Sequence, residues 1–180
     1  MELFLDPSGR RETLLIAGAG HIAAALAPMG VALGFEVVVC DEMEEMASQE
    51  RFPDPIRIAR SFLPKEWGVE LDGDAYVVVA TRDHAVDQEI LESLARLGAQ
   101  PAYLGVIGSR AKLAKFRKRL ETREVDGAFI AAIRGPIGVD VGAETPAEIA
   151  VAVAAELVET RRRPAAHVER RVAATEARTK

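Results

Sequence analysis

The sequence has little cysteine, little histidine and few aromatic residues, and it has no long apolar run. Its 180 residues include one cysteine, three histidines and 5% aromatic residues. A single thiol excludes an internal disulfide and a cysteine-built zinc site, and sparse thiols are typical of a reducing compartment. No apolar run reaches the ~20 residues that cross a bilayer, and no secretory signal precedes the first predicted strand. These absences predict a cytoplasmic protein without a membrane partner.

Acidic charge dominates the chain but is unevenly distributed. The formal net charge is −5, whereas residues 161–180 alone carry seven basic and two acidic side chains, which leaves −10 on the first 160 residues. An acidic body argues against nucleic acid as a partner. The basic segment predicts a flexible tail, with docking of an acidic partner as the alternative.

Apolar strands alternate with amphipathic helices along the chain, and nearly half of the residues are apolar. Strands are predicted near 13–17, 36–40, 56–59, 76–80 and 102–107, and helices near 21–33, 83–97, 109–121 and 146–161. This alternation predicts an α/β fold, a Rossmann-like doubly wound parallel sheet with helices on both faces. The predicted domain division is a lead-in at 1–12, a Rossmann NAD(P)-binding-like domain at 13–162 and a basic tail at 163–180.

Several residues mark predicted helix ends. Asp83 is expected to cap the helix that ends at Gly98. Thr145 and Glu148 have the spacing of a capping box at the last helix, so Glu148 is interpreted as a capping residue rather than a catalytic acid. Pro28 lies inside the first predicted helix and is expected to kink it.

A glycine-rich turn follows the first predicted strand. Gly18, Gly20 and Ala23 form a G-x-G-x-x-A pattern, in which the first glycine permits the tight turn and the second lets the backbone approach a pyrophosphate. The second strand ends at Asp41, 23 positions after Gly18, near the ~20 typical of an acid that binds ribose hydroxyls in NAD. The predicted nucleotide site therefore comprises Gly18, Ala19, Gly20, His21, Ile22, Asp41 and Glu42.

Two further polar sets follow predicted strands and are expected at the same edge of the sheet. One follows strand 76–80, and the other opens the next helix with a glycine, a hydroxyl group and a guanidinium that could hold an anion. These sets are Thr81, Arg82, Asp83 and His84, and Gly108, Ser109 and Arg110. His21 and His84 are interpreted either as ligand contacts or as plain first-turn residues. Two histidines do not make a metal site, so neither a metal ligand nor a catalytic residue is assigned.

Two other segments keep two interpretations each. The helix near 109–121 is expected to face outward with a basic surface, which is either solvated or docks an acidic partner. Its basic residues are Lys112, Lys115, Arg117, Lys118 and Arg119. The glycine-rich segment 135–142 is either an ordered turn into the last helix or a wall of the cofactor crevice.

Five blocks, in order, resemble the C-terminal domain of the XdhC/CoxI family, the accessory factors of xanthine dehydrogenase and related molybdenum hydroxylases. The blocks are residues 18–21, 52–53, 81–87, 105–110 and 136–138, the last leading to 145–150. The resemblance covers about residues 12–162 and implies a Rossmann domain that binds molybdenum cofactor, helps it mature by sulfuration and delivers it. Arg82 stands where the family often has a histidine, and an arginine there favours an anionic ligand.

The resemblance implies a non-enzymatic accessory factor with NAD(P) or molybdenum cofactor (molybdopterin) as ligand. The implied partners are a molybdenum hydroxylase of the xanthine dehydrogenase type and a small-molecule nucleotide, with a homodimer left open. Two alternatives remain. An NAD(P)-dependent oxidoreductase would use His84 or His21 as its acid. A nucleotide-sensing regulatory module would need a surface for a partner.

Overall fold

A computed structural model describes residues 12–162. The predicted lead-in, apart from residue 12, and the predicted tail lie outside this range. The elements are β1 (Thr13–Ala17), α1 (His21–Ala32), β2 (Glu36–Cys40), β3 (Arg57–Ala59), β4 (Ala75–Val79), α2 (His84–Arg96), β5 (Tyr103–Val106), α3 (Arg110–Thr122), α4 (Gly127–Ala132), β6 (Ile133–Arg134) and α5 (Pro146–Arg162). No helix within this range is long and apolar enough to cross a membrane.

The six strands form one parallel sheet in the order β3-β2-β1-β4-β5-β6. This is the doubly wound Rossmann order, and the predicted fold class is confirmed. The order in which strands are added to the sheet reverses between β1 and β4. Ala17, at the end of β1, pairs with Cys40 of β2 on one side and with Val79 of β4 on the other. The carboxyl ends of the three central strands are therefore level, and ligands bind at such a switch point.

Side chains of each strand alternate between two cores because successive residues point to opposite faces. Leu14 and Ile16 of β1 pack under α1 and α5, whereas Leu15 and Ala17 pack under α2 and α3. All four side chains are fully buried. Helices cover both faces, as the continuous apolar strands predict.

The helix caps follow the local sequence signals. The Asp83 carboxylate accepts a hydrogen bond from the backbone N–H of Ala85 at 2.7 Å, and Gly98 has a φ of 65° just after α2. Thr145 and Glu148 form the predicted capping box, in which each side chain accepts from the other's backbone N–H at 3.3 and 2.8 Å. These predictions are confirmed.

Three details differ from the sequence predictions. The sequence patterns did not predict α4 and β6, which are short, and β6 is defined only by its pairing with β5. Lys112 was expected to face outward, but its side chain is 11% exposed and lies against the sheet edge. Arg117 is also turned inward, since its Nη2 donates to the carbonyl of Ile133 at 2.8 Å.

Candidate functional site

The glycine-rich turn lies at the switch point and is shaped by its contact with β4. Gly18 has a φ of 112°, and a Cβ added there would lie 2.7 Å from the carbonyl carbon of Ala80 and 2.9 Å from the nitrogen of Thr81. Both the dihedral angle and the contact exclude a side chain. By contrast, a Cβ added at Gly20 would meet nothing within 4 Å. Gly18 therefore serves the fold, and Gly20 leaves space open above the turn.

Asp41 and Arg51 bind the turn from the β2 side. The buried Asp41 carboxylate accepts from the backbone N–H of Ala19 at 2.9 Å and from that of Met43 at 3.0 Å. Arg51 Nη1 donates to the carbonyl of Ala19 at 3.0 Å and to that of Met46 at 2.7 Å. Each carboxylate oxygen of Asp41 retains further acceptor capacity, so its predicted contact with ribose stays a prediction.

The N terminus of α1 has no side-chain cap, unlike the N termini of α2, α3 and α4. Its N-cap residue, Gly20, supplies no side-chain hydrogen bond. Asp83, Ser109 and Asp126 cap α2, α3 and α4 through their side-chain oxygens. The first-turn N–H groups of α1 therefore have no side-chain cap, and N–H groups at such a helix start can bind an anion. His21, in that turn, is exposed to solvent, and Ile22 is half-buried.

Arg82 reaches across the carboxyl edge of the sheet. It follows β4, and its Nη2 lies 2.6 Å from the sulfur of Met43, which follows β2. The two side chains therefore meet across the end of β1, which lies between β2 and β4. Arg82 remains exposed, like Glu42 beside Met43. This arrangement places a positive charge near the uncapped end of α1.

A buried ion pair joins the ends of β4 and β5. Asp87 is fully buried, and its Oδ1 accepts from the hydroxyl of Thr81 at 2.6 Å and from the Thr81 N–H at 3.2 Å. Its Oδ2 accepts from Lys112 Nζ at 2.7 Å, and that nitrogen also donates to the carbonyl of Ile107 at 3.0 Å. His84 Nδ1 lies 4.0 Å from the same carboxylate and is largely exposed. The network holds the turn after β4 against Gly18.

The second predicted anion cradle lies one strand further from the turn. The Ser109 hydroxyl accepts from the backbone N–H of Lys112 at 3.2 Å and so caps α3. Arg110 is exposed, and no hydrogen bond or ion pair in residues 12–162 joins it to the glycine-rich turn. Gly108, with a φ of 135°, leaves the room that Lys112 occupies. The sequence placed these residues at the correct edge, while their binding of an anion stays a prediction.

The glycine-rich segment 135–142 packs on α5. The backbone N–H of Gly138 donates to Glu156 at 2.5 Å, and that of Val139 donates to the carbonyl of Ala152 at 3.1 Å. The hydroxyl of Tyr103 donates to the same carboxylate of Glu156 at 2.9 Å. These bonds favour the interpretation as an ordered turn into α5.

Sequence reasoning missed three residues that shape the site. Lys112 pairs with Asp87, 25 positions away, and Arg51 donates to the carbonyl of Ala19, 32 positions away. Asp87 closes the family block 81–87, but that block does not indicate its bond to Thr81 or its pairing with Lys112. Cys40, at the end of β2, is fully buried, and burial raises the pKa of its thiol. No group of three His, Cys, Asp or Glu side chains in the described residues is placed to hold a metal ion.

Comparison with known proteins places these features in a family. The profile described as the XdhC Rossmann domain matches residues 14–157. YqeB from Escherichia coli K12, a protein without an assigned function, is 35% identical over 89% of this chain and 29% of its own length. A protein from Bacillus subtilis, named as a probable subunit of xanthine dehydrogenase, is 30% identical over 91% of this chain and 47% of its own length.

A solved structure shows the same architecture. A crystal structure described as a xanthine dehydrogenase from Bacillus halodurans superposes with a TM-score of 0.71 at 27% identity, over 84% of this chain and 43% of that chain. The chain thus spans less than half the length of each of these relatives. The profile match covers most of the chain, and the chain belongs to the XdhC family through its Rossmann domain.

Proposed function

We propose that the crevice between β1 and β4 binds a phosphate-bearing nucleotide, either NAD(P) or molybdenum cofactor, and that the chain acts as an accessory factor of a xanthine dehydrogenase-type hydroxylase. The observation that carries the proposal is the N terminus of α1. Its N-cap, Gly20, supplies no side-chain hydrogen bond, and the space above Gly20 is open. Backbone N–H groups at a helix start bind phosphate well because the helix dipole adds to their hydrogen bonds.

The side chains around this space fit a phosphate. Arg82 supplies a cation at the mouth of the crevice, and His21 adds a further donor in the first turn. The carboxylate of Asp41 lies beside the turn and repels a second phosphate on the ribose. We therefore propose that NAD is preferred over NADP when the ligand is a nicotinamide nucleotide.

The accessory role rests on the relatives. Two of the similar proteins carry the name of xanthine dehydrogenase or of one of its subunits. The family of accessory factors serves molybdenum hydroxylases, so the proposed partners are such a hydroxylase and a small nucleotide. The single buried thiol agrees with a location in the cytoplasm.

Calorimetric titration with NAD, NADP and molybdenum cofactor tests which of these ligands binds in the crevice. We expect Gly20→Val to weaken binding at least about tenfold, because the branched side chain fills the space of the phosphate. Gly73→Val is the matched control, since Gly73 also has open space around it and lies at the opposite edge of the sheet, before β4. Equal affinities of the two variants for every ligand would exclude this crevice as the binding site.

Reconstitution of a hydroxylase lacking its cofactor tests the accessory role. Protein loaded with molybdenum cofactor should activate the hydroxylase, and Arg110→Ala should activate it less if Arg110 holds an anionic group of the cofactor. Loss of one such charge-assisted hydrogen bond costs about 1.5–3 kcal/mol. Arg96→Ala, an exposed change at the far end of α2, is the control. Absence of activation together with oxidation of NADH by the isolated chain would support the oxidoreductase alternative instead.

A further inference from the structure

A groove with a volume of about 600 Å³ separates α2 from α3. Its α2 wall includes Gln88, Glu89 and Glu92, which recur at the three- and four-residue spacing of one helix face. The α3 wall, from residue 115 to residue 123, is about 12 Å long at the rise of an α-helix. None of the predicted nucleotide-binding residues lines this groove.

The groove is basic although the body of the chain is acidic. Lys115, Lys118, Arg119 and Arg123 line its α3 wall. Arg123 is paired with Glu92, at 3.5 Å between Nε and Oε1. The other three cations form no ion pair with a carboxylate in residues 12–162. Glu89 on the α2 wall offsets one of these charges, so the groove keeps a net charge of +2 that attracts an acidic ligand.

Gln88 provides an independent indication of a ligand. The residue is only 5% exposed, and its Nε2 donates to Glu92 Oε1 at 3.0 Å. Its side-chain carbonyl oxygen accepts no hydrogen bond in the described structure. The oxygen is itself buried, and a buried carbonyl without a donor is unfavourable, so a ligand with an N–H group gains when the Gln88 side chain turns its oxygen to the groove.

We propose that this groove docks a short acidic peptide segment of a partner protein. Such a segment supplies both kinds of group that the groove needs: carboxylates for Lys115, Lys118 and Arg119, and backbone N–H donors for Gln88. About four extended residues match the length of the α3 wall. An inorganic polyanion supplies charge but no donor. The proposal does not depend on nucleotide binding, and it is tested on protein without nucleotide.

The test uses the full chain and a blocked peptide of alternating glutamate and alanine, about eight residues long to overhang the wall. Titration followed by ¹H–¹⁵N NMR should give saturable shifts that include the side-chain amide of Gln88. Lys115→Glu with Lys118→Glu should weaken binding about tenfold. The matched control, Lys65→Glu with Arg96→Glu, makes the same change in net charge outside the groove and should weaken it less than about twofold.

Three results would overturn the proposal. The first is the absence of saturable binding, and the second is an equal loss of affinity in the groove variant and the control variant. The third is displacement of the peptide by tripolyphosphate or by a thymidine oligonucleotide as readily as by unlabelled peptide. The spectrum of each variant also reports whether it is folded, so an unfolded variant cannot be mistaken for a weak binder.

Discussion

Removal of the Asp87 carboxylate should destabilise the protein severely. The side chain is fully buried and accepts from Lys112 at 2.7 Å and from the hydroxyl and N–H of Thr81. Asp87→Ala leaves the ammonium of Lys112, which is 11% exposed, with the carbonyl of Ile107 as its remaining hydrogen-bond acceptor and with no carboxylate to balance its charge. Breaking a buried pair by removing one partner costs about 3–5 kcal/mol, which is a large part of the ~5–15 kcal/mol that holds a domain folded.

The companion variants show whether the ion pair itself is responsible. Lys112→Met alone should also cost about 3–5 kcal/mol, because it leaves the buried carboxylate of Asp87 without a positively charged partner. The double variant should cost only about 1–3 kcal/mol, since Thr81 then loses a partner but no buried charge is left unpaired. Urea unfolding followed by circular dichroism gives the free energy of unfolding of all four proteins.

The double-mutant cycle can refute this reasoning directly. If the cost of the double variant equals the sum of the two single costs, the two side chains are not coupled. A cost below about 1 kcal/mol for Asp87→Ala would mean that water or another donor replaces the carboxylate. Either result would contradict the buried pair as the element that holds the turn after β4.

Substitutions at Gly18, Glu148 and Tyr76 give three further predictions. Gly18→Ala should lower the free energy of unfolding by about 2–4 kcal/mol, because Gly18 has a positive φ and an added Cβ would overlap with backbone atoms. Gly20→Ala should cost under about 1 kcal/mol, since its Cβ would meet no atom within 4 Å. Thermal melts of the two variants measure this difference. Hydrogen bonds from the backbone N–H groups of Thr145 and Glu144 lower the pKa of Glu148 from 4.5, so the stability that Glu148 adds is full above pH 4.5 and is lost as the pH falls through its folded pKa. Melting curves of wild type and Glu148→Gln should therefore differ at neutral pH and converge in acid. Burial raises the pKa of Tyr76 from 10.0 to about 12, so stability should fall between pH 10 and pH 12, and Tyr76→Phe should lack this loss.

Much of the fold could be predicted from the sequence because its elements are long and locally encoded. The apolar runs of β1, β2 and β4 are typical of strands buried on both faces, and the structure has them within one residue of the predicted bounds. The elements α4 and β6 could not be predicted in this way. A strand of two residues has no periodicity, and β6 exists only because β5 supplies its hydrogen bonds.

The sequence predicted where the site residues lie better than it predicted which partners their side chains bind. The sequence indicated which residues follow the strands, and the parallel order brings those residues to one edge. It did not indicate that Asp41 binds the N–H of Ala19 or that Lys112 turns inward to Asp87. The hydrophobic pattern of α3 placed Lys112 on its polar face, but the desolvated carboxylate of Asp87 attracts the long side chain back to the sheet edge.

Features whose interacting groups are close along the chain can be predicted from the sequence alone. These are the alternating strands and helices, the cap at Asp83 and the capping box at Glu148. The contacts across the sheet edge, such as those of Asp41 with Ala19 and of Lys112 with Asp87, depend on the folded arrangement of the strands. Local contacts form with little loss of chain entropy, and their spacing can be recognised directly. Contacts between distant residues exist only after the strands have assembled in one order and register, which the pattern of any single segment does not contain.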